Sequence, residues 1–148
     1  MTGPQVFRAD RGAYLRTNAW LAAGAMAAGM AILWAMGNPH LWTGAVGGLT
    51  AIALRAWYVS DEELALDWTL TETHVEGPSR RPMDDGAPAG PAWRVALTEI
   101  ARVRTIGTFV QVVTHGGDKH LMKYLADPPA VVSRIDTART AARSKSAG

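Results

Sequence analysis

From Ala19 to Met36 the chain carries no charged residue, and from Leu41 to Leu54 it again carries none, Arg55 being the only charge before Asp61. The two runs read AWLAAGAMAAGMAILWAM and LWTGAVGGLTAIALRAWYV, and only Gly37-Asn38-Pro39-His40 separates them. Crossing about 30 Å of hydrocarbon takes roughly 20 apolar residues rising about 1.5 Å each. The pattern therefore predicts two membrane helices, antiparallel because so short a link crosses nothing. The alternative is a helical hairpin buried in a soluble core. A cleaved leader is disfavoured, because Ala35-Met36-Gly37-Asn38-Pro39 is a poor processing site and the second run follows at once.

Residues 1–17 read as a short polar arm, with Pro4 and Gly12 set against one continuous helix and Tyr14 and Leu15 starting an interfacial segment. Beyond Leu64 the period changes from helical to alternating. Ala65 to Leu70 is strand-like, with Leu66, Trp68 and Leu70 on one face. Thr71-Glu72-Thr73 predicts a turn and His74-Val75-Glu76 a return strand. Gly77 to Pro91, GPSRRPMDDGAPAGP, is rich in Pro, Gly and charge and predicts an exposed loop. Trp93–Leu97 is a third strand, Thr98–Ala101 a corner, Val103–Ile106 and Phe109–Thr114 further strands. His115-Gly116-Gly117-Asp118 is a hairpin turn, since glycine supplies the positive φ such turns need. Lys119–Leu125 returns as the last strand. Asp127 then caps a helix with Pro128 in its first turn, and Val131, Ile135, Ala138 and Ala142 share its apolar face. Arg134, Arg139, Arg143 and Lys145 crowd its second half, at the negative end of the helix dipole. Residues 144–148 form a frayed tail. The expected soluble part is a sheet of about six short strands closed by one amphipathic helix.

Tryptophan placement strengthens the membrane reading. Trp20 and Trp34 bracket the first run, and Trp42 and Trp57 the second, about 21–23 Å apart along each helix. Indole favours the interface, where its ring is half-buried and its N–H stays wet. Small residues recur four apart: Gly24 with Ala28, Ala25 with Gly29, Gly44 with Gly48. Such stripes let helices approach closely, so Gly24, Ala28, Gly44 and Gly48 are candidates for packing the two helices together or for docking a partner. Arg8, Arg11 and Arg16 precede the first run, Arg55 ends the second, and the turn holds no Lys or Arg. Basic residues stay on the cytoplasmic side, so both ends are expected there and the Asn38–His40 turn on the periplasmic side. Arg16 and Arg55, which snorkels outward, join the four tryptophans as interface anchors.

The chain has 148 residues and a net charge of +2, so nothing points to nucleic acid. It has no cysteine, which removes disulfides, thiolate chemistry, iron–sulfur clusters and Cys-based zinc sites. His40, His74, His115 and His120 read as turn residues; His115 and His120 flank one hairpin, but two histidines without a third ligand make a poor metal site. Asp84-Asp85 sits in the loop, with no shell to hold a catalytic pair. No phosphate loop, dinucleotide fingerprint, nucleophile elbow or zinc-helix motif is present. The expectation is a protein that is not an enzyme and uses no cofactor or metal.

Trp68-Thr69-Leu70-Thr71, Val95-Ala96-Leu97-Thr98-Glu99-Ile100-Ala101-Arg102-Val103, the Gly116-Gly117 hairpin and Leu125-Ala126-Asp127-Pro128, in that order, resemble the bacterial pleckstrin-homology-like domain in its membrane-anchored type. The resemblance spans about Leu64 to Arg143 and rests on packing motifs, which speak to fold far more than to function. It implies an α+β membrane protein: a two-helix transmembrane hairpin, then a pleckstrin-homology-like antiparallel sheet or barrel capped by a C-terminal helix. The implied layout is a cytoplasmic basic arm (1–17), the hairpin (18–60), the domain (61–143) and a disordered tail (144–148). Relatives often carry arginines where this chain has Glu72, Thr73 and His74. From Asp61 onward 11 Lys/Arg face 12 Asp/Glu, a net of −1, with Arg80-Arg81 the one basic pair near that turn. A phosphoinositide headgroup needs clustered Lys/Arg, so specific lipid recognition is disfavoured; Arg134, Arg139 and Arg143 are the candidates for nonspecific contact with anionic lipid. What remains is protein interaction, through strand edges and small-residue helix faces. Some relatives of this architecture act in assembling photosynthetic complexes. The expectation is an accessory or assembly subunit of a respiratory or photosynthetic complex in the bacterial inner membrane. Its partners would be a larger integral membrane complex, bilayer lipids and further copies of itself. A membrane-surface lipid sensor is the alternative.

Overall fold

In the computed structural model, which describes residues 3–80 and 90–148, the chain divides into two units. Tyr14–Glu63 form one; Met1–Ala13 and Leu64–Gly148 together form the other. Arg81 and Asp84-Asp85 of the expected loop lie outside the described residues.

The first unit is a pair of long helices. Asp10 begins α1 (Arg11–Ala35) as its N-cap, its Oδ2 accepting from the Ala13 N–H at 2.7 Å. Gly37, at φ 70°, ends it. There the Gly37 N–H bonds to the Trp34 carbonyl and the Asn38 N–H to the Leu33 carbonyl, at 3.0 and 2.9 Å. This double closure needs a left-handed residue at its centre, and glycine takes that conformation at no steric cost. In the turn the Asn38 side chain accepts from the His40 N–H at 2.8 Å, and α2 (Leu41–Leu64) follows. The helix runs past the expected end at Ser60, since Ser60-Asp61-Glu62-Glu63 holds no glycine or proline to stop it.

Both apolar runs were expected to cross a membrane. Among the described residues α1 alone is long and apolar enough to do so, and only 6% of that stretch is buried. A stretch so little enclosed is unlike the core helix of a soluble protein, which is mostly buried. In α2, Arg55 interrupts the run, and Trp42, Thr43, Gly44, Gly47 and Gly48 dilute its first half.

The second unit holds seven strands in two antiparallel sheets among the described residues, ordered β1-β2-β3-β4 and β5-β6-β7. Their ranges are β1 Gln5–Arg8, β2 Leu66–Leu70, β3 His74–Arg80, β4 Trp93–Ala96, β5 Ile100–Ile106, β6 Phe109–Thr114 and β7 Lys119–Met122. A single 3-10 turn, Leu97–Glu99, makes the corner between the sheets. The last helix, α3 (Pro128–Ser146), packs on that turn, on β5 and on β6. Asp127 caps it as expected, Oδ1 accepting from the Ala130 N–H at 3.1 Å. Trp68, Val75, Leu97, Ile100, Val110, Val112, Met122 and Ile135 are almost fully enclosed between the sheets and α3. Leu66, Trp68 and Leu70 share the core face as the alternation predicts.

Two expectations are corrected here. Residues Gly77–Arg80 belong to β3 and not to a loop. Gly77 is required by contact as well as by conformation: at φ 141° a Cβ would stand 2.6 Å from Cδ1 of Trp68. More consequentially, the N-terminal segment is no free arm. Gln5–Arg8 is the first strand of the four-stranded sheet, with Gln5 opposite Leu70 and Phe7 opposite Trp68. The Asp10 N–H reaches the Tyr124 carbonyl at 2.6 Å, and the Phe7 ring is buried in the core. Four residues with one inward side chain are too few to display a period of two.

Candidate functional site

In the helix pair, close approach is made by glycine. A Cβ on Gly29 would collide with the Gly44 carbonyl, and a Cβ on Gly48 would lie 2.5 Å from the Ala25 carbonyl. Gly29 opposite Gly44 and Ala25 opposite Gly48 define one antiparallel register. Of the four small residues singled out in the sequence, Gly44 and Gly48 therefore line the seam. Gly24 and Ala28 do not: both are exposed, and Gly24 has open space where a Cβ would be. Their seam counterparts are Ala25 and Gly29, one residue further along α1.

The same seam carries two polar residues that a search for charges passes over. Tyr14 is buried, and its hydroxyl donates to the Ala56 carbonyl at 2.6 Å. Asn18, also buried, donates from Nδ2 to the Tyr14 carbonyl at 2.9 Å. The signal that would have found them is spacing: Tyr14, Asn18, Ala22, Ala25, Gly29 and Leu33 follow one another by threes and fours.

All four tryptophans of the helices turn outward. Trp20, Trp34, Trp42 and Trp57 are 76%, 74%, 65% and 82% exposed. The seam register puts Trp34 and Trp42 at the turn end of the pair, and Trp20 and Trp57 at the other. Leu21, Ile32, Val46, Leu49 and Leu54 are exposed between them. Arg16 and Arg55 are exposed at the end away from the turn. The outer surface of the pair is thus an apolar band with indoles at both ends and guanidinium groups at one.

In the second unit the three arginines of α3 are engaged with the domain itself. β5 carries a bulge between Ile100 and Arg102 that breaks its ladder with β6. The carbonyls exposed there are taken by α3: Arg139 donates to Ala101 at 2.9 Å, and Arg143 to Ile100 at 3.1 Å. Arg139 also pairs with Asp136 at 3.0 Å. The Arg134 guanidinium lies 6.0 Å from the centre of the Phe7 ring. Arg139 and Arg143 share a face four residues apart, whereas Arg134 lies well round the helix from both. The three do not form the single basic surface that a lipid headgroup requires.

Around the turn after β2, Glu72 meets Lys145 at 3.8 Å and Glu76 meets Arg94 at 2.7 Å. Carboxylates therefore flank this turn, each with a basic partner. Beside them a groove of about 270 Å³ and mixed lining runs along α3, bordered among others by Gln5, Leu70, Thr71, Arg134, Thr137 and Ala141. Its cations, Arg134 and Lys145, are eleven positions apart on one helix, roughly 16 Å along the axis, too far to share one phosphate. The histidines are dispersed: His74 Nδ1 lies 2.7 Å from Thr73 Oγ1, His120 stacks on Trp93 at 4.6 Å, and His115 Nε2 lies 3.5 Å from an Arg143 nitrogen. Among the described residues no three His, Cys, Asp or Glu gather closely enough to hold a metal ion.

No family model, no curated protein and no solved structure matches this chain.

Proposed function

We propose that this chain is a non-catalytic accessory or assembly subunit of a bacterial inner-membrane complex, respiratory or photosynthetic. In this reading α1 and α2 form a transmembrane hairpin that carries a pleckstrin-homology-like domain on the cytoplasmic side. One observation carries the membrane part. Strand β1 precedes the helices, strand β2 follows them, and the two are hydrogen-bonded neighbours. Paired strands share one side of a membrane, so the segment between them crosses it an even number of times. A single crossing by α1 is incompatible with that pairing. The exposed apolar band of α1 argues against no crossing, because water disfavours apolar surface by about 25 cal/mol per Å². Both observations support two crossings. The weaker apolar character of α2 is accommodated by its glycine seam against α1 and by Arg55, one to two residues from Ala56 and Trp57 and able to snorkel to the interface.

The fold reading is supported by two antiparallel sheets joined at a corner and closed by a C-terminal helix. The partner reading is supported by what the groups in the domain are doing. Arg139 and Arg143 satisfy its own bulge, and Glu72 and Glu76 flank the turn after β2, which weighs against a lipid sensor. The exposed Gly24–Ala28 face of α1 offers a flat strip for lateral docking. Orientation follows from Arg8, Arg11, Arg16 and Arg55.

Purification from native membranes in mild detergent through a C-terminal tag, with mass spectrometry of what accompanies it, tests this function. A larger integral membrane partner at fixed stoichiometry is expected. Recovery of the protein alone, even after crosslinking, refutes it.

A further inference from the structure

The sheet domain is interrupted in sequence by the helices and completed by the strand that precedes them. We infer that pairing of β1 with β2 is a closure conditional on insertion: among chains that have entered the membrane, the domain is completed in those whose two helices have both crossed and not in those where α1 has crossed alone. This rests on the transmembrane reading proposed above.

Phe7 is one of the core side chains, opposite Trp68 across the β1–β2 ladder. The Ala9 N–H bonds to the Leu66 carbonyl and the Asp10 N–H to the Tyr124 carbonyl, so backbone from both sides of the helices is knitted together. In a chain with α1 inserted alone, β1 stays on the cytoplasmic side while β2 and everything after it lies on the other. Phe7 is then absent from the core, and the outer edge of β2 has no partner. An unpaired edge beside an open apolar core is a site for aggregation and proteolysis. The weaker of the two helices, α2, sits at the step where this failure would occur. Closure of the sheet therefore distinguishes a correctly inserted chain from a half-inserted one and holds the first in place.

The natural absence of cysteine gives a direct test. Val6 faces Thr69 in the ladder, so Val6→Cys with Thr69→Cys forms a disulfide where the strands pair once isolated membranes are treated with a membrane-permeant oxidant, which takes up the two electrons. Separately, an impermeant maleimide reads Asn38→Cys, which reaches the periplasmic face when α1 crosses, and Gly148→Cys, exposed at the end of the chain, which reaches it only when α1 crosses and α2 does not. All are read in the full chain, in the membrane fraction that resists alkaline extraction. Ala51 lies on the exposed side of α2; Ala51→Lys opposes crossing by α2, and Ala51→Leu is the insertion-competent control.

The expected result is turn labelling and disulfide in the parent and Ala51→Leu chains, whereas the membrane-embedded Ala51→Lys chain keeps the turn label, gains the label at Gly148→Cys and loses the disulfide by roughly tenfold or more. A disulfide that persists in embedded Ala51→Lys chains labelled at Gly148→Cys overturns the conditional closure. So does a parent chain that labels at the turn and not at Gly148→Cys without forming the disulfide, a result that leaves the transmembrane reading standing. A parent chain that forms the disulfide with its turn unlabelled overturns both.

Discussion

Replacing Phe7 by alanine tests whether the N-terminal strand is a structural part of the domain. Phe7 is 7% exposed and packs in a core that includes Trp68, Leu70 and Ile135. Removing a buried phenylalanine costs the transfer term plus the cavity left behind, together about 3–5 kcal/mol. The Arg134 guanidinium above the ring adds about 0.5–1 kcal/mol, lost in the same step. Domains of this kind are stable by about 5–15 kcal/mol, so the change removes a large share of the total. The internal control is Val6→Ala on the same strand. Val6 is 52% exposed and faces away from the core, and its loss is expected to fall within about 0.5 kcal/mol. The assay is urea unfolding of the full chain in mild detergent, with hydrogen exchange of the Leu66–Leu70 amides followed by mass spectrometry. Phe7→Ala should lower the urea midpoint strongly and expose the β2 amides, whereas Val6→Ala should leave both near the parent. Equal effects of the two substitutions, or unprotected β2 amides in the parent chain, would show that β1 is not in the sheet.

Two further outcomes separate the roles of residues that look alike in sequence. Gly44→Leu drives a side chain into the Gly29 backbone and should force the helices apart by several kcal/mol, lowering the crosslinking yield of cysteine pairs across the seam. Gly24→Leu has open space around it, should leave that yield unchanged, and should reduce recovery of the membrane partner; equal effects on the seam would contradict the register. Arg139→Ala strips the bulge carbonyl of Ala101 of its donor and should lower stability by about 1–3 kcal/mol, measured as a drop in the melting temperature in detergent. The same variant should bind anionic vesicles no differently from the parent, and a selective loss of vesicle binding at unchanged stability would restore the lipid reading of this helix.

Local and strongly periodic features are legible in the sequence alone. Eighteen uncharged residues in a row, a Gly-Asn-Pro turn, alternation through Trp68, a Gly-Gly hairpin and an Asp-Pro helix start each depend on residues near one another in the chain. Their physical causes act over one or two turns of backbone. The α+β class, the Asp127 cap and the buried face of α3 follow from such causes. The seam is legible as a stripe of small residues, and only its phase is not: Gly24 and Ala25 are adjacent in sequence, and which of them meets α2 is set by the partner helix.

What the tertiary structure decided is everything that joins residues far apart. Gln5–Arg8 has no strand signal of its own, since its extended form is stabilised by Leu66–Leu70, some sixty positions later. Arg139 and Arg143 read as a free basic face until the β5 bulge presents them with unpaired carbonyls. Most important, the apolar pattern alone speaks only for helices of sufficient length, and on that ground α1 and α2 are unequal. The pairing of β1 with β2 adds a constraint that no local pattern contains: hydrogen-bonded strands occupy one side of a membrane, so the helices between them cross together or not at all.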